Sequence, residues 1–204
     1  MSEPSARHVI LHAVRAARPP AVAAPTRRVS SVQPSASQTA LLDTFAAAAT
    51  AAGAAVVVGE RSDVSRLALG TGAESREVLS TVAEVTSTIA SPAGPHSLAS
   101  LDLFVCDADL GVAENGAVWI ATADPLHRAA LFLAARVAIV VRAGAIVATL
   151  HDAYDRMDVR AHAFGVFIAG PSKTADIEQS LVIGAHGPRE LTVIVVGDVL
   201  AHPD

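Results

Sequence analysis

Two short apolar runs rich in β-branched residues, at 166–169 and 192–196, most constrain what this chain can fold into. Neither alternates polar with apolar positions, and each is too short for a buried helix. That is the pattern of strands covered on both faces, as in a parallel sheet. Between them the chain reads as a tight polar turn, a short acidic helix and a second polar turn. This stretch gathers Ser172, Lys173, Thr174, Asp176, Glu178, His186 and Arg189 beside the sheet ends. No other part of the sequence puts so much ionisable chemistry next to predicted strands.

The preceding residues alternate helices and strands. Ser5 is placed to cap a helix over 5–17 with an apolar stripe of Val9, Ile10, Ala13, Val14 and Ala17, stopped by Pro19-Pro20. Residues 18–34 are rich in Pro, Ser and Arg without periodicity, so 1–34 reads as a helix plus linker arm and 35–204 as an α/β domain. Ser37 opens a helix to residue 52, with Leu41, Leu42, Phe45 and Ala48 or Ala49 facing inward and Gly53 ending it. A strand over 54–58 and a short helix over 64–69, closed by Gly70, follow. Residues 76–88 fit strand and helix periods equally poorly, and 91–95 form a loop. Asn115-Gly116 between apolar runs at 110–114 and 117–121 signals a β-hairpin with a two-residue turn. A strand at 137–141 and a helix at about 147–157 lead into the opening stretch. The order predicts a layered α/β protein whose sheet carries an inserted hairpin.

Composition narrows the function classes. Of the 204 residues 51% are hydrophobic, enough for a large core, while only 3% are aromatic and the formal net charge is −5. That balance argues against nucleic-acid binding, which favours basic surfaces and stacking side chains. The longest apolar region, 129–150, is broken by Arg136, Arg142 and Gly144, so no transmembrane segment is expected. The N-terminus carries Arg7, Arg15 and Arg18 without an apolar core, which predicts a soluble, cytoplasmic protein rather than a secreted one. Cys106 is the single cysteine, which excludes an internal disulfide, a Cys-rich zinc site and a self-contained iron–sulfur cluster. His8 and His12 lie four apart without a third ligand, so no metal site is expected. No Gly-x-Gly-x-x-Gly follows the 54–58 strand, which removes a dinucleotide-binding fold.

Three places carry candidate chemistry. Glu114, before the Asn-Gly turn, is either a solvated surface carboxylate or one presented into a cleft as base or nucleophile. In 170–176, Ser172 or Thr174 can cap the predicted helix, with Asp176 at its positive end. The same hydroxyls, Lys173 and free N–H groups also suit a phosphate or carboxylate. The spacing is not that of a Walker A loop. In 184–189, paired glycines flank His186, and histidine is the side chain that changes charge near neutral pH.

Gly170-Pro-Ser-Lys-Thr-Ala-Asp-Ile-Glu178 followed by Gly184-Ala-His-Gly-Pro-Arg-Glu-Leu191 resembles the signature of the LUD (lactate-utilisation) domain family, in its small, protein C type. Gly111-Val-Ala-Glu-Asn-Gly116 is similar to that family's strand with an acidic residue before glycine. The resemblance runs from about 110 to 196 and is weak before that. It implies a three-layer α/β/α fold with a mostly parallel sheet, similar to CoA transferases and ribose-5-phosphate isomerases. It also implies a subunit of a system oxidising L-lactate to pyruvate, binding the substrate carboxylate or organising the complex. The implied partners are a LUD-family subunit that carries iron–sulfur clusters and a further Cys-rich oxidoreductase subunit. With one cysteine, this chain holds no such cofactor itself. The alternative that the fold kinship implies is an independent enzyme of CoA-transferase or sugar-isomerase type using Glu114 as nucleophile. The expected site is one cleft, with Glu114 on one wall and Ser172, Lys173, Thr174, Asp176, His186 and Arg189 on the other.

Overall fold

A computed structural model of the chain describes residues 5–20, 22, 37–70, 77–89, 92, 94–177 and 180–197, with backbone alone at 175–177, 180 and 181. Two compact units are distinguished, Met1–Val32 and Gln33–Asp204. In the first, α1 (Ala6–Ala16) starts at Ser5, whose Oγ accepts from the His8 N–H at 3.4 Å. Its expected apolar stripe is exposed at Val9, Ile10 and Val14.

The second unit runs α2 (Gln38–Ala51), β1 (Ala55–Gly59), α3 (Val64–Leu69), β2 (Val78–Ser80), β3 (Leu103–Asp107), β4 (Leu110–Val112) and β5 (Ala117–Ala121). It continues with α4 (Pro125–Leu133), β6 (Arg136–Arg142), β7 (Ile146–Val147), α5 (Leu150–Arg156), β8 (Gly165–Ile168), β9 (Lys173–Ile177), β10 (Ser180–Ile183) and β11 (Glu190–Val196). Five strands make a wholly parallel sheet in the order β1-β11-β6-β3-β2. Its central strands are buried on both faces, as the unbroken apolar runs of β6 and β11 require. Alternate residues divide between the faces. Val137, Ile139, Val141, Val193 and Val195 join a core with Phe45, Phe104 and Leu131, while Ala138, Val140, Ile194 and Val196 pack with Val64 and Ala68 of α3.

A second, mixed sheet in the order β7-β4-β5-β8 stacks on the first of these faces through Val118, Ile120 and Ile146. Its outer face carries Trp119, whose ring lies 4.8 Å from that of Phe167. The molecule is thus an α/β protein with a mostly parallel central sheet and flanking helices. The hairpin interrupts that sheet in sequence and founds the second one. Phe45, fully buried, ties α2 to both sheets, and burying such a side chain stabilises by roughly 1.5–3 kcal/mol.

Several expectations need correction. The hairpin turn is four residues long, since Val112 pairs with Ala117 and the Gly116 N–H donates to Val112 C=O at 2.9 Å. Gly116, at φ +67°, ends it, and a Cβ there would lie 2.2 Å from the Ala49 backbone N of α2. The acidic helix expected after Pro171 is instead the hairpin β9–β10, paired antiparallel from Ile177↔Ser180 to Lys173↔Ile183. So short a helix is unstable alone, whereas the apolar run 181–183 offers a ladder partner at once. Glu178 lies outside the described residues. Among the described residues of the ambiguous stretch, 77–88, β2 is the one strand, and the helix expected at 147–157 shortens to α5 because 146–147 is spent as β7. The sequence reading overlooked α4, although Asp124-Pro125 is a strong start: Asp124 Oδ1 accepts from the Leu126 N–H at 2.7 Å. Among the described residues no helix is long and apolar enough to cross a membrane.

Candidate functional site

The two polar turns that flank β9–β10 are stitched to one another through the backbone. The Ser172 N–H donates to Pro188 C=O and the Gly184 N–H donates to Ser172 C=O, both at 2.9 Å. The Arg189 N–H, also at 2.9 Å, donates to Ala135 C=O and fixes the second turn beside the end of α4. Gly170 makes the first turn. It sits at φ +73°, and a Cβ there would lie 1.9 Å from the Ala52 carbonyl oxygen at the end of α2. Only glycine meets both demands.

The result is a cavity of about 320 Å³ over the N-terminal ends of β6 and β11, reached by Ser172, Lys173 and His186 and floored by Val137 and Leu191. His186 also borders an adjoining groove with Arg189, Phe132 and Leu133. Four of the expected site residues therefore collect on one face. Ser172 is half-buried, while Lys173, His186 and Arg189 are exposed. The Lys173 ammonium donates to the Ala52 carbonyl, so its charge serves the C-terminus of α2. Thr174 is a ladder residue opposite Val182 and does not line the cavity. Asp176 lies on β9, its side chain outside the described residues. With no helix following the first turn, the helix-dipole argument for anion binding there lapses.

Glu114 stands apart from this face. It is exposed, and its Oε1 accepts from the Leu150 N–H at 2.8 Å, the first N–H of α5. Its own N–H donates to Ala148 C=O at 3.1 Å. Thr149 and Asp152 complete the α5 start as a capping box, with Thr149 Oγ1 receiving the Asp152 N–H at 3.2 Å. Glu114 thus supplies a further acceptor to the positive end of α5 and does not line the Ser172–His186 cavity.

At the opposite, C-terminal end of the parallel strands lies a cluster the sequence reading missed. Arg61 donates to Glu84 Oε1 at 2.8 Å and to Asp107 Oδ1 at 2.6 Å. The hydrogen bond from Arg61 holds the Glu84 carboxyl below its ordinary range, and the two carboxylates push the guanidinium up. Glu84 Oε2 is buried without a hydrogen-bond partner. The three residues are scattered over 61–107, and only the meeting of strand ends unites them. Cys106 is buried in the main core, where desolvation raises its thiol well above the ordinary range. A lone, protonated, inaccessible thiol does not fit a cluster ligand.

The comparisons agree with this architecture. A family model described as the LUD domain matches residues 48–196. Lactate utilization protein C of Geobacillus sp. (strain WCH70) is 35% identical over 97 residues, 44% of this chain and 40% of that protein. The protein of the same name from Shouchella clausii (strain KSM-K16) is 31% identical over 102 residues, 48% of this chain and 44% of that one. The matches thus span less than half the length of these relatives. The crystal structure of a DUF162 family protein from Deinococcus radiodurans superposes with a TM-score of 0.61 at 22% identity, covering 79% of this chain and 99% of that one. The family model spans most of the α/β unit, and on that ground the chain belongs to the LUD-domain family.

Proposed function

We propose that this chain is a subunit of a lactate-utilisation system that oxidises L-lactate to pyruvate, and that it organises the complex through its signature face. The iron–sulfur clusters belong to a LUD-family partner, with a further Cys-rich oxidoreductase subunit completing the electron path. The observation that carries this reading is the character of the face itself. Lys173 is committed to α2, and what remains is Phe132 and Leu133, 45% and 49% exposed, beside the exposed His186 and Arg189. Exposed aromatic and aliphatic side chains rimmed by Arg and His suit a protein partner better than proton transfer to a small substrate. The names of the relatives supply the metabolic setting.

Co-purification with a Cys-rich partner, and lactate-dependent electron transfer only in the mixture, is the expected result. Phe132→Asp combined with Arg189→Glu should abolish association and leave the thermal unfolding of the isolated chain unchanged. Full lactate oxidation by the purified single chain would overturn the proposal.

A further inference from the structure

A second cavity, of about 440 Å³, opens where the two sheets part company. After β3 the chain leaves the parallel sheet through Ala108 and Asp109 to enter β4, and after β6 it leaves through residues 143–145 to enter β7. The Ala108 N–H still donates to Val140 C=O at 2.7 Å, while the Asp109 N–H already donates to Trp119 C=O at 2.9 Å. Adjacent strands thus change sheets side by side and leave a crevice beyond their C-terminal ends, the usual place for ligands in open parallel sheets. Its ionisable lining is Asp109, Arg142, Arg156, Asp158 and His162.

The two arginines are the informative part. Among the described residues, ion pairs engage Arg61, Arg66, Arg136 and His127, and neither Arg142 nor Arg156 has a carboxylate partner. Two unpaired guanidinium forks in one cavity match an oxyanion. Asp109 and Asp158 balance them formally, so a ligand with several separate anionic groups meets no excess of positive charge beyond the two guanidinium groups that hold one head. Ionised carboxylates only accept hydrogen bonds, so they select a body that carries donors. The volume lies in the roughly 300–1,000 Å³ range of sites for ligands much larger than a three-carbon acid. Leu110 and Trp119 add an apolar wall.

We infer that this cavity binds a hydroxylated organic anion, its single carboxylate or phosphate-ester head on Arg142 and Arg156 and its hydroxyls on Asp109. The ligand is held by this chain alone, with or without the partners proposed above, so the two ideas fail separately.

The test titrates the isolated full-length chain by calorimetry with gluconate, glycerol 3-phosphate, inorganic phosphate and acetate. One of the first two should bind about ten-fold or more tightly than either of the last two, the increment expected for added hydrogen bonds to charged groups. Preference for gluconate identifies a carboxylate head and preference for glycerol 3-phosphate a phosphate head. Arg142→Ala and Arg156→Ala should each weaken the preferred ligand about ten-fold or more. Asp109→Asn should weaken it without affecting acetate, and Arg66→Ala should change nothing. All of these side chains are exposed, so the variants should melt with the parent. Equal or absent binding of the four anions, or tight binding that survives both arginine substitutions, overturns the assignment.

Discussion

The two ends of β6 carry two different kinds of polar surface. At its start, by Val137, lie the signature turns, and at its end, about 16 Å away at the rise per residue of a strand, Arg142 faces the second cavity. The first is dense in motif residues, yet most of what those residues do is structural. Ser172 is a backbone splice between turns, Lys173 closes α2 and Thr174 holds a ladder position. The second has no motif, but its guanidinium groups have no carboxylate partner among the described residues. A recognisable sequence therefore marks here the part that must be built one way, and free chemistry accumulates where strands change sheets.

That contrast breaks most sharply at Gly170. An alanine there takes on a left-handed backbone, at about 1–2 kcal/mol, and forces Cβ against the Ala52 carbonyl, at roughly 1–3 kcal/mol more. Gly170→Ala should accordingly lower the denaturant midpoint by the largest margin of any substitution on this face. Arg142→Ala, exposed and unpaired, should stay within about 0.5 kcal/mol of the parent. Equal stability of the two variants would mean that the signature turns are not the architectural element described.

Glu114 offers a smaller and more discriminating test. As an acceptor for the first N–H of α5 it should contribute about 0.5–1 kcal/mol, and Glu114→Gln, which retains an acceptor oxygen, should lose only part of that. A covalent role makes another demand. Incubation with acyl-CoA followed by hydroxylamine and intact mass would then reveal a glutamyl adduct that Glu114→Gln abolishes. Its capping position leads us to expect no adduct and a shift in melting temperature alone.

Much of the fold is legible in the sequence because the central strands have no alternative. Runs such as 137–141 and 192–196 are too apolar for a surface and too short for a core helix, and Ser37, Gly53 and Gly70 punctuate their helices in the usual way. The failure at β9–β10 has a definite cause. Ser172, Thr174 and Asp176 are good helix-start residues, and local preference loses to the pairing partner at 180–183. The clustering of Ser172, His186 and Arg189 follows from their closeness in sequence. Between Asp109 and His162 the chain runs through four strands and two helices, and nothing short of the switch between sheets shows that Asp109, Arg142, Arg156 and His162 share a cavity. The capping contact of Glu114 was hidden for the same reason, since its partner Leu150 is remote in sequence.

Another small effect lies in the Arg61 cluster, which caps the C-terminal strand ends as the signature turns cap the N-terminal ones. Its contribution should depend on pH in a fixed direction. The folded state holds the Glu84 carboxyl below its ordinary value of 4.5, so folding favours the ionised form. Stability from this group is then fully present above about pH 4.5, the unfolded value, and is lost as pH falls through the lower folded value. Glu84→Gln removes the linkage, and both partners are partly exposed, so the loss at neutral pH should be under about 1 kcal/mol. Urea unfolding of parent and variant at neutral pH and again near pH 3 measures it. The gap between the two should narrow at the lower pH, and a gap that stays constant would assign Glu84 a packing role without an ionic one.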